Sequence, residues 1–307
     1  MSDKKNSTQY SLFFIQRFKG KVLFNVPMSE YTSLRIGGPA DVMAFPQDDA
    51  DLKNLITFAE DKNFPYQILG NGTNLLVRDG GVRGVVINMC EGFKEILWQD
   101  DMRVVAGAGM TLVALLNELR DYGASGLEFA VNIPGTVGGA IVMNAGAYGA
   151  EIQDVCEAIE LIGKKGKLTL VKKEDAGFGY RKSALPKGAV VIRARLKFEK
   201  KDVEEIRKKI DEYRAKRRAA MAVHLPNAGS IFKNPEGHIA GRLIEEAGLK
   251  GERIGDAEVS EAHGNYIVNR GNALAKDVLA LMALIRDRIY GTRGIVLEPE
   301  IKVIGED

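Results

Sequence analysis

The residues most able to do chemistry in this chain lie in a glycine-rich stretch, Gly126–Gly149, which reads GLEFAVNIPGTVGGAIVMNAGAYG. Its apolar side chains would be exposed to water in a solvated linker, so we expect a folded segment. Glycine lets the main chain approach a ligand closely, and Pro134 presets the turn. Thr136 can cap a helix, and amides at a helix start suit a phosphate or pyrophosphate. A glycine-rich packing corner without a ligand is the alternative interpretation.

A second candidate anion loop is Gly70-Asn-Gly-Thr-Asn74, which lies between two apolar segments, Tyr66–Leu69 and Leu75–Val77. A strand followed by such a turn offers backbone amides, one hydroxyl and two side-chain amides as phosphate donors. An ordinary tight turn is the alternative, because Asn-Gly pairs commonly form one.

Other reactive residue types are sparse. The three histidines, His224, His238 and His263, are scattered and show no metal-ligand spacing, so we expect no metal. Cys90 and Cys156 are far apart, which excludes a disulfide framework and predicts two buried, inert thiols.

Hydrophobic periodicity gives the elements that must position these loops. Asp48 or Asp49 caps a helix that buries Leu52–Ala59, and the helix beginning at Leu112 ends before Gly123. The other predicted helices are 1–20 (with Leu12, Ile15 and Phe18 inward), 201–221, about 238–247, and 273–290 with Leu274 on its buried face and Gly291 as its stop. The predicted strands are 42–45, 66–69, 85–88, 103–106, 158–162, 168–171, 189–198, 266–268 and 295–304.

Composition excludes several classes of function. The chain has 307 residues and a net charge of +2, from 43 basic and 41 acidic residues, so no single-sign field favours nucleic acid. No apolar run reaches the roughly 18 residues that a membrane helix needs, and no signal peptide is evident. We therefore expect a cytoplasmic protein of two or three domains, with no nucleic-acid or membrane partner.

Six segments occur in an order that resembles a known family: Tyr31–Asp41, Leu69–Val77, Ile133–Ala140 with Asn144–Ala147, Phe178–Ser183, Ala228–Pro235 and Leu297–Gly305. Together they resemble the UDP-N-acetylenolpyruvoylglucosamine reductases, in the second type that lacks an extra tyrosine-bearing loop over the substrate. The resemblance extends from about Tyr31 to Gly305.

The resemblance implies an α+β fold, with two FAD-binding subdomains of the vanillyl-alcohol-oxidase (PCMH) type and a C-terminal α+β substrate domain. The implied boundaries are 1–82, 83–203 with a returning strand 296–307, and 204–295. The implied activity is reduction of UDP-N-acetylglucosamine enolpyruvate to UDP-N-acetylmuramate in peptidoglycan synthesis, with FAD as cofactor and NADPH as reductant, by a monomer.

The resemblance also implies roles for individual residues. It places Arg181, Ser230 and Glu300 in catalysis and Tyr180, Lys233 and Asn234 at the substrate. The implied cofactor-binding residues are Arg35, Ile36, Gly37, Gly70, Asn71, Gly72, Thr73, Asn74, Leu75, Ile133, Pro134, Gly135, Thr136, Gly138, Gly139, Asn144, Gly146 and Ala147.

These roles suit the chemistry of the enolpyruvyl group. Hydride addition to its terminal carbon drives negative charge toward the carboxylate, where Arg181 supplies a cation and a protonated Glu300 could donate a hydrogen bond. The carbon beside the carboxylate then needs a proton, which the resemblance assigns to Ser230. A serine is a weak acid, so Lys233 or an ordered water must assist it.

Two other classes remain open at this stage: a flavin oxidase of the same fold, and a nucleotide-binding sensor without catalysis. Oxidases of this fold often hold FAD covalently through His or Cys, and no His lies in either glycine stretch. The chain also departs from the family before Ser230, where Met221-Ala-Val223 replaces a Gln-Pro-Leu-like segment beside His224.

Overall fold

The computed structural model of the chain describes residues 13–14, 16–220 and 224–307, with side chains of residues 218–220 left out. Leu12 and Ile15 of the predicted leading helix, and the Met221–Val223 departure, lie outside the described residues. The helices are α1 (Asp49–Asp61), α2 (Leu112–Asp121), α3 (Val137–Met143), α4 (Val203–Ala220), α5 (Ala240–Glu246) and α6 (Ala275–Arg293). Within this described part of the chain, no helix has the length and hydropathy to cross a bilayer.

Most strands lie at predicted positions, and β1 and several short strands are additional. They are β1 (Lys21–Pro27), β2 (Pro39–Phe45), β3 (Tyr66–Leu69), β4 (Leu75–Val77), β5 (Val82–Asn88), β6 (Ile96–Trp98), β7 (Arg103–Gly107), β8 (Ala124–Ser125), β9 (Gly146–Ala147), β10 (Ala150–Glu151), β11 (Cys156–Ile162), β12 (Leu168–Lys172), β13 (Val190–Lys197), β14 (Glu199–Lys200), β15 (Arg253–Ile254), β16 (Ala257–Val259), β17 (Ile267–Asn269) and β18 (Lys302–Ile304).

The chain divides into two compact units. The first comprises the residues up to Asn25, Val42–Gly70 and Gly84–Lys209, and the second comprises Val26–Asp41, Asn71–Arg83 and Ile210–Asp307. The three-part division expected from the family remains a prediction.

The first unit contains two sheets and the helices that cover them. One sheet has the order β1-β2-β5-β3, with β3 parallel to β5, and the other has the order β12-β11-β13-β7-β6, with antiparallel neighbours. The Asp48 carboxylate caps α1 by accepting from the Asp51 amide at 2.8 Å, as predicted. Thr111 caps α2 in the same way, and the leucines of α2 are buried against the unit.

The second unit is built around α6, whose apolar stripe packs in a core with strands β16 and β17 and the loop that carries Phe232. Its sheet has the order β15-β16-β17, and β18 pairs in parallel with β4. The terminal strand therefore pairs with residues that lie in the predicted first subdomain, whereas the family resemblance implied a place in the second.

Two predicted boundaries in this unit are wrong. Helix α6 continues past Gly291 to Arg293, and Gly294 ends it with the left-handed φ of 69° typical of a helix C-cap. Leu274 is the N-cap residue and is exposed rather than part of the buried stripe. The predicted strand 295–304 is also shorter, because Glu298–Ile301 bonds to the Ile231–Lys233 loop and only Lys302–Ile304 joins a sheet.

Both cysteines are unpaired thiols, as expected. Cys156 lies buried in β11, where loss of hydration raises its thiol pKa to about 12. Burial also raises the pKa of the half-buried Cys90 thiol. Neither sulfur is therefore an activated nucleophile.

A buried carboxylate fixes the start of the glycine-rich stretch. Glu128 is 1% exposed and accepts from the Ser125 hydroxyl at 2.6 Å and the Gly126 amide at 3.0 Å, with Lys209 Nζ at 3.6 Å. Burial alone would raise the pKa of this carboxyl, but the hydrogen bonds and the lysine together hold it below its usual value.

Because the folded-state pKa of Glu128 is lowered, its stabilising effect is present above the unfolded pKa and disappears as pH falls through the folded one. We expect Glu128→Gln to lower the free energy of unfolding by about 1–3 kcal/mol at about pH 7. The deficit relative to wild type should shrink below about pH 4. Urea titrations that follow Trp98 fluorescence would measure it, with exposed Glu199→Gln as control. An equal deficit at both pH values would contradict this account.

Candidate active site

The two predicted anion loops come into contact through Gly70 and Thr136. A Cβ added to Gly70 would lie 2.7 Å from Thr136 Oγ1, so no larger residue fits there without movement. Thr136 is buried and caps α3, accepting from the Gly139 amide at 3.3 Å. Gly70, the first residue of that loop, therefore lies directly beside the start of α3.

The amides at the start of α3 do not face a ligand, however. Val137 N–H donates to the Met110 carbonyl at 2.8 Å, and Gly138 N–H donates to the Ala108 carbonyl at 2.9 Å. With Gly139 bonded to Thr136, the first three helical amides are all engaged inside the protein. The expectation that these amides bind a phosphate is therefore wrong for these three positions.

Glycines of this stretch serve two different purposes. A Cβ on Gly138 would lie 2.9 Å from the Ala108 Cβ, so this glycine permits close packing. Gly135 has no heavy atom within 4 Å of the same position, so the space beside it is open. The stretch is thus partly the packing corner considered above and partly an open cradle.

The Gly70–Asn74 loop provides the more suitable donors. Gly72 has φ of 61°, and a Cβ there would lie 2.0 Å from the Tyr31 carbonyl oxygen, so only glycine fits. Among the described residues, no hydrogen bond engages the amides of Gly72 and Thr73. Buried or half-buried amides without a partner fit an anionic ligand such as a pyrophosphate.

The Arg35–Gly37 turn of the second unit is held from two sides. Thr32 Oγ1 donates to the Ile36 carbonyl at 2.9 Å, and Asn269 Nδ2 donates to the Leu34 carbonyl at 3.1 Å. Arg35 has a positive φ of 55° and an exposed side chain. A strained backbone that neighbours hold this firmly is typical of functional sites.

Arg181 lies in the first unit, beside the C-terminal end of the glycine-rich stretch. Its Nη2 donates to the Gly146 carbonyl at 2.9 Å, and its guanidinium lies 5.2 Å from the centre of the Tyr180 ring. Its backbone also has a positive φ, 55°. Arg181 and the predicted cofactor residue Gly146 are therefore brought together.

Asn144 anchors the same corner from inside. Its side chain is fully buried, donates to Glu151 and to the Gly179 carbonyl, and accepts from the Gln153 amide. This amide is fully used within the protein, so any contact of Asn144 with a cofactor would involve its main chain.

Ser230 and Glu300 lie in the second unit and are joined by the backbone. The Glu300 amide donates to the Ile231 carbonyl at 2.7 Å, directly after Ser230. Asn74 Nδ2 donates to the Glu300 carbonyl at 3.2 Å, and the Lys302 amide donates to the Asn74 carbonyl at 3.1 Å. This hydrogen-bonded joint connects the first anion loop to two predicted catalytic residues.

The predicted substrate residues of the same loop are also placed by polar contacts. Lys233 Nζ lies 2.5 Å from Glu298 Oε1, and Asn234 Oδ1 accepts from the Ala240 amide at 2.9 Å at the start of α5. The remaining predicted cofactor-binding residues are placed as follows: Ile36 lies in the core, Gly37 lies against Val77, Leu75 is in β4, Ile133 is half-buried, Pro134 is exposed, and Ala147 is in β9. In the described part of the chain, no group of three His, Cys, Asp or Glu side chains could hold a metal ion.

Comparison with known proteins identifies the family. A reductase from Alkaliphilus oremlandii, named UDP-N-acetylenolpyruvoylglucosamine reductase, is 44% identical over 93% of this chain and 94% of its own length. The enzyme of the same name from Clostridioides difficile is 40% identical over 94% of this chain and 95% of its own. The chain belongs to the UDP-N-acetylenolpyruvoylglucosamine reductase family.

A solved UDP-N-acetylenolpyruvylglucosamine reductase from Thermus caldophilus matches this reductase with a TM-score of 0.80 and 40% identity, over 93% of this chain and 98% of that one. Two family models also match: an FAD binding domain over residues 40–171, and the C-terminal domain of UDP-N-acetylenolpyruvoylglucosamine reductase over residues 221–304. The predicted family, fold class and FAD cofactor are therefore confirmed.

The two family models cover most of the reductase's predicted site residues, and Arg35, Ile36, Gly37 and Tyr180 lie outside them. The FAD model includes both glycine-rich loops, and the C-terminal model includes Ser230 and Glu300. Arg181 lies outside both matched ranges. The individual roles of these residues remain predictions.

Sequence reasoning missed the residues that hold the reductase's loops from behind. Thr32, Asn265 and Asn269 are buried and bond to loop backbone. A sequence signal for Asn265 and Asn269 exists, since one asparagine stands at each end of an apolar run. Asparagines next to a buried strand are themselves buried, and buried side-chain amides need hydrogen-bond partners.

Gly135 provides a test of the open cradle. Gly135→Ala meets no protein atom, so the free energy of unfolding of the flavin-free reductase should change by less than about 0.5 kcal/mol. Its FAD dissociation constant should rise about tenfold or more, if the added methyl occupies space that the cofactor fills. Fluorescence titration with FAD measures this, and Gly291→Ala, also in open space on α6, serves as control. Unchanged FAD affinity in both variants would remove Gly135 from the cofactor site.

Proposed function

We propose that this chain catalyses the FAD-dependent reduction of UDP-N-acetylglucosamine enolpyruvate to UDP-N-acetylmuramate, a step of peptidoglycan precursor synthesis, with NADPH as the reductant. Membership of the reductase family supports the reaction, and the match to an FAD binding domain supports the cofactor. The observation that carries the site assignment is the hydrogen-bonded joint from Asn74 through Glu300 to Ile231, next to Ser230.

The chemistry requires a charge-stabilising group and a proton donor from the protein. When bound, FAD supplies a hydride to the terminal carbon of the enolpyruvyl double bond. The electron pair of that double bond moves toward the carboxylate, so fixed donors near the carboxylate stabilise the transition state. We assign this role to Arg181 and Glu300.

Arg181 suits this role because its position is fixed. One nitrogen of its guanidinium is held by the Gly146 carbonyl, and the Tyr180 ring lies beside the cation. The planar guanidinium has further N–H donors in a rigid geometry, which matches the two oxygens of a carboxylate.

Ser230 is proposed to give its hydroxyl proton to the carbon beside the carboxylate. The side chain is half-buried, and within the described residues no hydrogen bond engages its hydroxyl. The serine oxygen regains a proton from solvent after each turnover. Lys233, three residues along the loop, is held by Glu298 and is the nearest ammonium in the sequence to assist that return.

We also propose that the reductase is a cytoplasmic monomer that acts on a soluble sugar nucleotide. Two unpaired cysteines, one of them deeply buried, suit a reducing compartment. Gel filtration with light scattering measures the mass, and a mass of two chains would overturn the monomer.

An anaerobic two-step experiment tests the function. Purified holoprotein should bleach on addition of NADPH, and its yellow colour should return within a few turnovers when UDP-N-acetylglucosamine enolpyruvate is added without oxygen. Heat or acid should release the flavin, because no histidine lies in either glycine stretch to hold it covalently. Colour that returns only on admission of oxygen would instead indicate an oxidase, and absence of bleaching would indicate a binding protein.

The proposed proton donor separates the two half-reactions. Ser230→Ala should keep FAD and bleach with NADPH at nearly the wild-type rate, because flavin reduction needs no carbon acid. Reoxidation by the enolpyruvyl substrate should slow by about 10²-fold or more, the scale for a lost general acid. Ser230→Cys should restore part of the rate, since a thiol can deliver a proton. Equal slowing of both half-reactions by Ser230→Ala would make the serine structural.

A further inference from the structure

Two buried asparagines stand at the ends of the apolar run that contains β17. Asn265 precedes the strand, Asn269 ends it, and the two are 4% and 3% exposed. A buried side-chain amide must pair both its N–H and its C=O group, so its partners define its purpose. These two amides bond to different loops.

Asn265 holds Phe232 by both backbone groups. Its Oδ1 accepts from the Phe232 amide at 3.0 Å, and its Nδ2 donates to the Phe232 carbonyl at 2.7 Å. Its own carbonyl accepts from the Ile231 amide at 2.9 Å. Three hydrogen bonds from one residue therefore fix two consecutive residues of the loop, directly after Ser230.

The preceding side of Ser230 is held much less firmly. Gly229 has φ of 76°, with open space where a Cβ would be, and its amide donates one hydrogen bond to Asn227 Oδ1 at 3.0 Å. Asn227, three residues before the serine, is anchored by the Ser33 hydroxyl at 2.7 Å, whereas Ile231 and Phe232 carry the larger number of hydrogen bonds directly next to Ser230. The Ile231 carbonyl also accepts from the Glu300 amide, so the backbone of Ile231 connects Ser230 with Glu300.

We propose that Asn265 is a positioning residue, which directs the Ser230 hydroxyl toward the substrate carbon by fixing the backbone of Ile231 and Phe232. The inference rests on the proposed function, in which Ser230 delivers the proton. In this proposal Asn265 has no role in the reduction of the flavin by NADPH. It acts on the second half-reaction, through the backbone of the loop that carries Ser230.

An amide is needed because one planar group must both donate and accept. Asn265→Asp removes the donor when the carboxyl is ionised and sets two acceptor oxygens against the Phe232 carbonyl. When protonated, the same carboxyl can accept from the Phe232 amide and donate to its carbonyl, as the asparagine does. Burial favours the protonated form of this carboxyl. In the variant, the two hydrogen bonds to the Phe232 backbone therefore form at low pH and one of them is lost at high pH.

The test is the rate of anaerobic reoxidation by UDP-N-acetylglucosamine enolpyruvate, measured by stopped flow from about pH 5.5 to 8.5. Asn265→Asp should approach wild type at the acidic end and fall about tenfold or more below it as the carboxyl ionises. Bleaching by NADPH should follow the wild-type profile throughout. His263, whose Nδ1 accepts from the Asn265 amide at 3.2 Å, is surrounded by the charges of Lys250, Arg217 and Glu245. These groups and Glu300 are present in wild type, so the variant is compared with wild type as the ratio of the two profiles. A pH-independent ratio of one would overturn the proposal.

A double variant separates positioning from a general loss of structure. In the Ser230→Ala background, Asn265→Asp should cause no further slowing of reoxidation at the basic end, because the group that it directs is absent. A multiplied loss in the double variant would show that Asn265 acts independently of Ser230 and would overturn the inference. If Asn265→Asp fails to retain flavin, Asn265→Ser replaces it, with a slower reoxidation expected at every pH.

Asn269→Asp provides the matched contrast. This residue is equally buried and donates to the Leu34 and Arg35 carbonyls, so its variant should weaken FAD retention and leave the pH profile of reoxidation parallel to wild type. A pH-dependent loss identical to that of Asn265→Asp would show a general effect of a buried charge and would overturn the proposal. Failure of Ser230→Ala to slow reoxidation would instead overturn the proposed function of the serine.

Discussion

The second unit depends on backbone hydrogen bonds between segments that are not part of any regular sheet. Residues Glu298–Ile301 pair with Ile231–Lys233, and the Asn74 side chain joins them at Glu300. Each of these segments has an irregular backbone, and buried irregular backbone is stable only when its polar groups find partners. The loop that carries Ser230 is therefore fixed by the same bonds that prevent the terminal segment from forming a longer strand.

In the first unit, close backbone approach has the corresponding role. Gly70 lies against Thr136, and Gly138 lies against Ala108, at separations that leave no room for a Cβ. The helix that follows has its first amides bonded to Met110 and Ala108. The stretch is consequently rigid before any ligand binds, which reduces the ordering that binding requires.

Local signals predicted the local structure well, and long-range partners account for the errors. The cap of α1, the end of α2 before Gly123 and most strands are confirmed, because caps and periodicity depend on neighbours in sequence. The amides of α3 were assigned to a phosphate because their true partners, Ala108 and Met110, are about 30 residues earlier in the chain. Asn265 escaped notice for the same reason, since Phe232 is 33 residues from it in sequence.

The sequence left two interpretations of the Gly126–Gly149 stretch open, a packing corner and a ligand-binding segment. The two interpretations are compatible, because different glycines of the stretch serve each purpose. Glycines at positions 70 and 138 are required by the protein's own packing, whereas the space beside Gly135 is open. Close packing places Gly70 against Thr136, and within the described residues no hydrogen bond engages the amides of Gly72 and Thr73. The start of α3 thus satisfies its own amides within the protein, and the amides of Gly72 and Thr73 are better suited to bind an anion. Removing a packing glycine should therefore destabilise the fold, and filling the open one should affect only the cofactor.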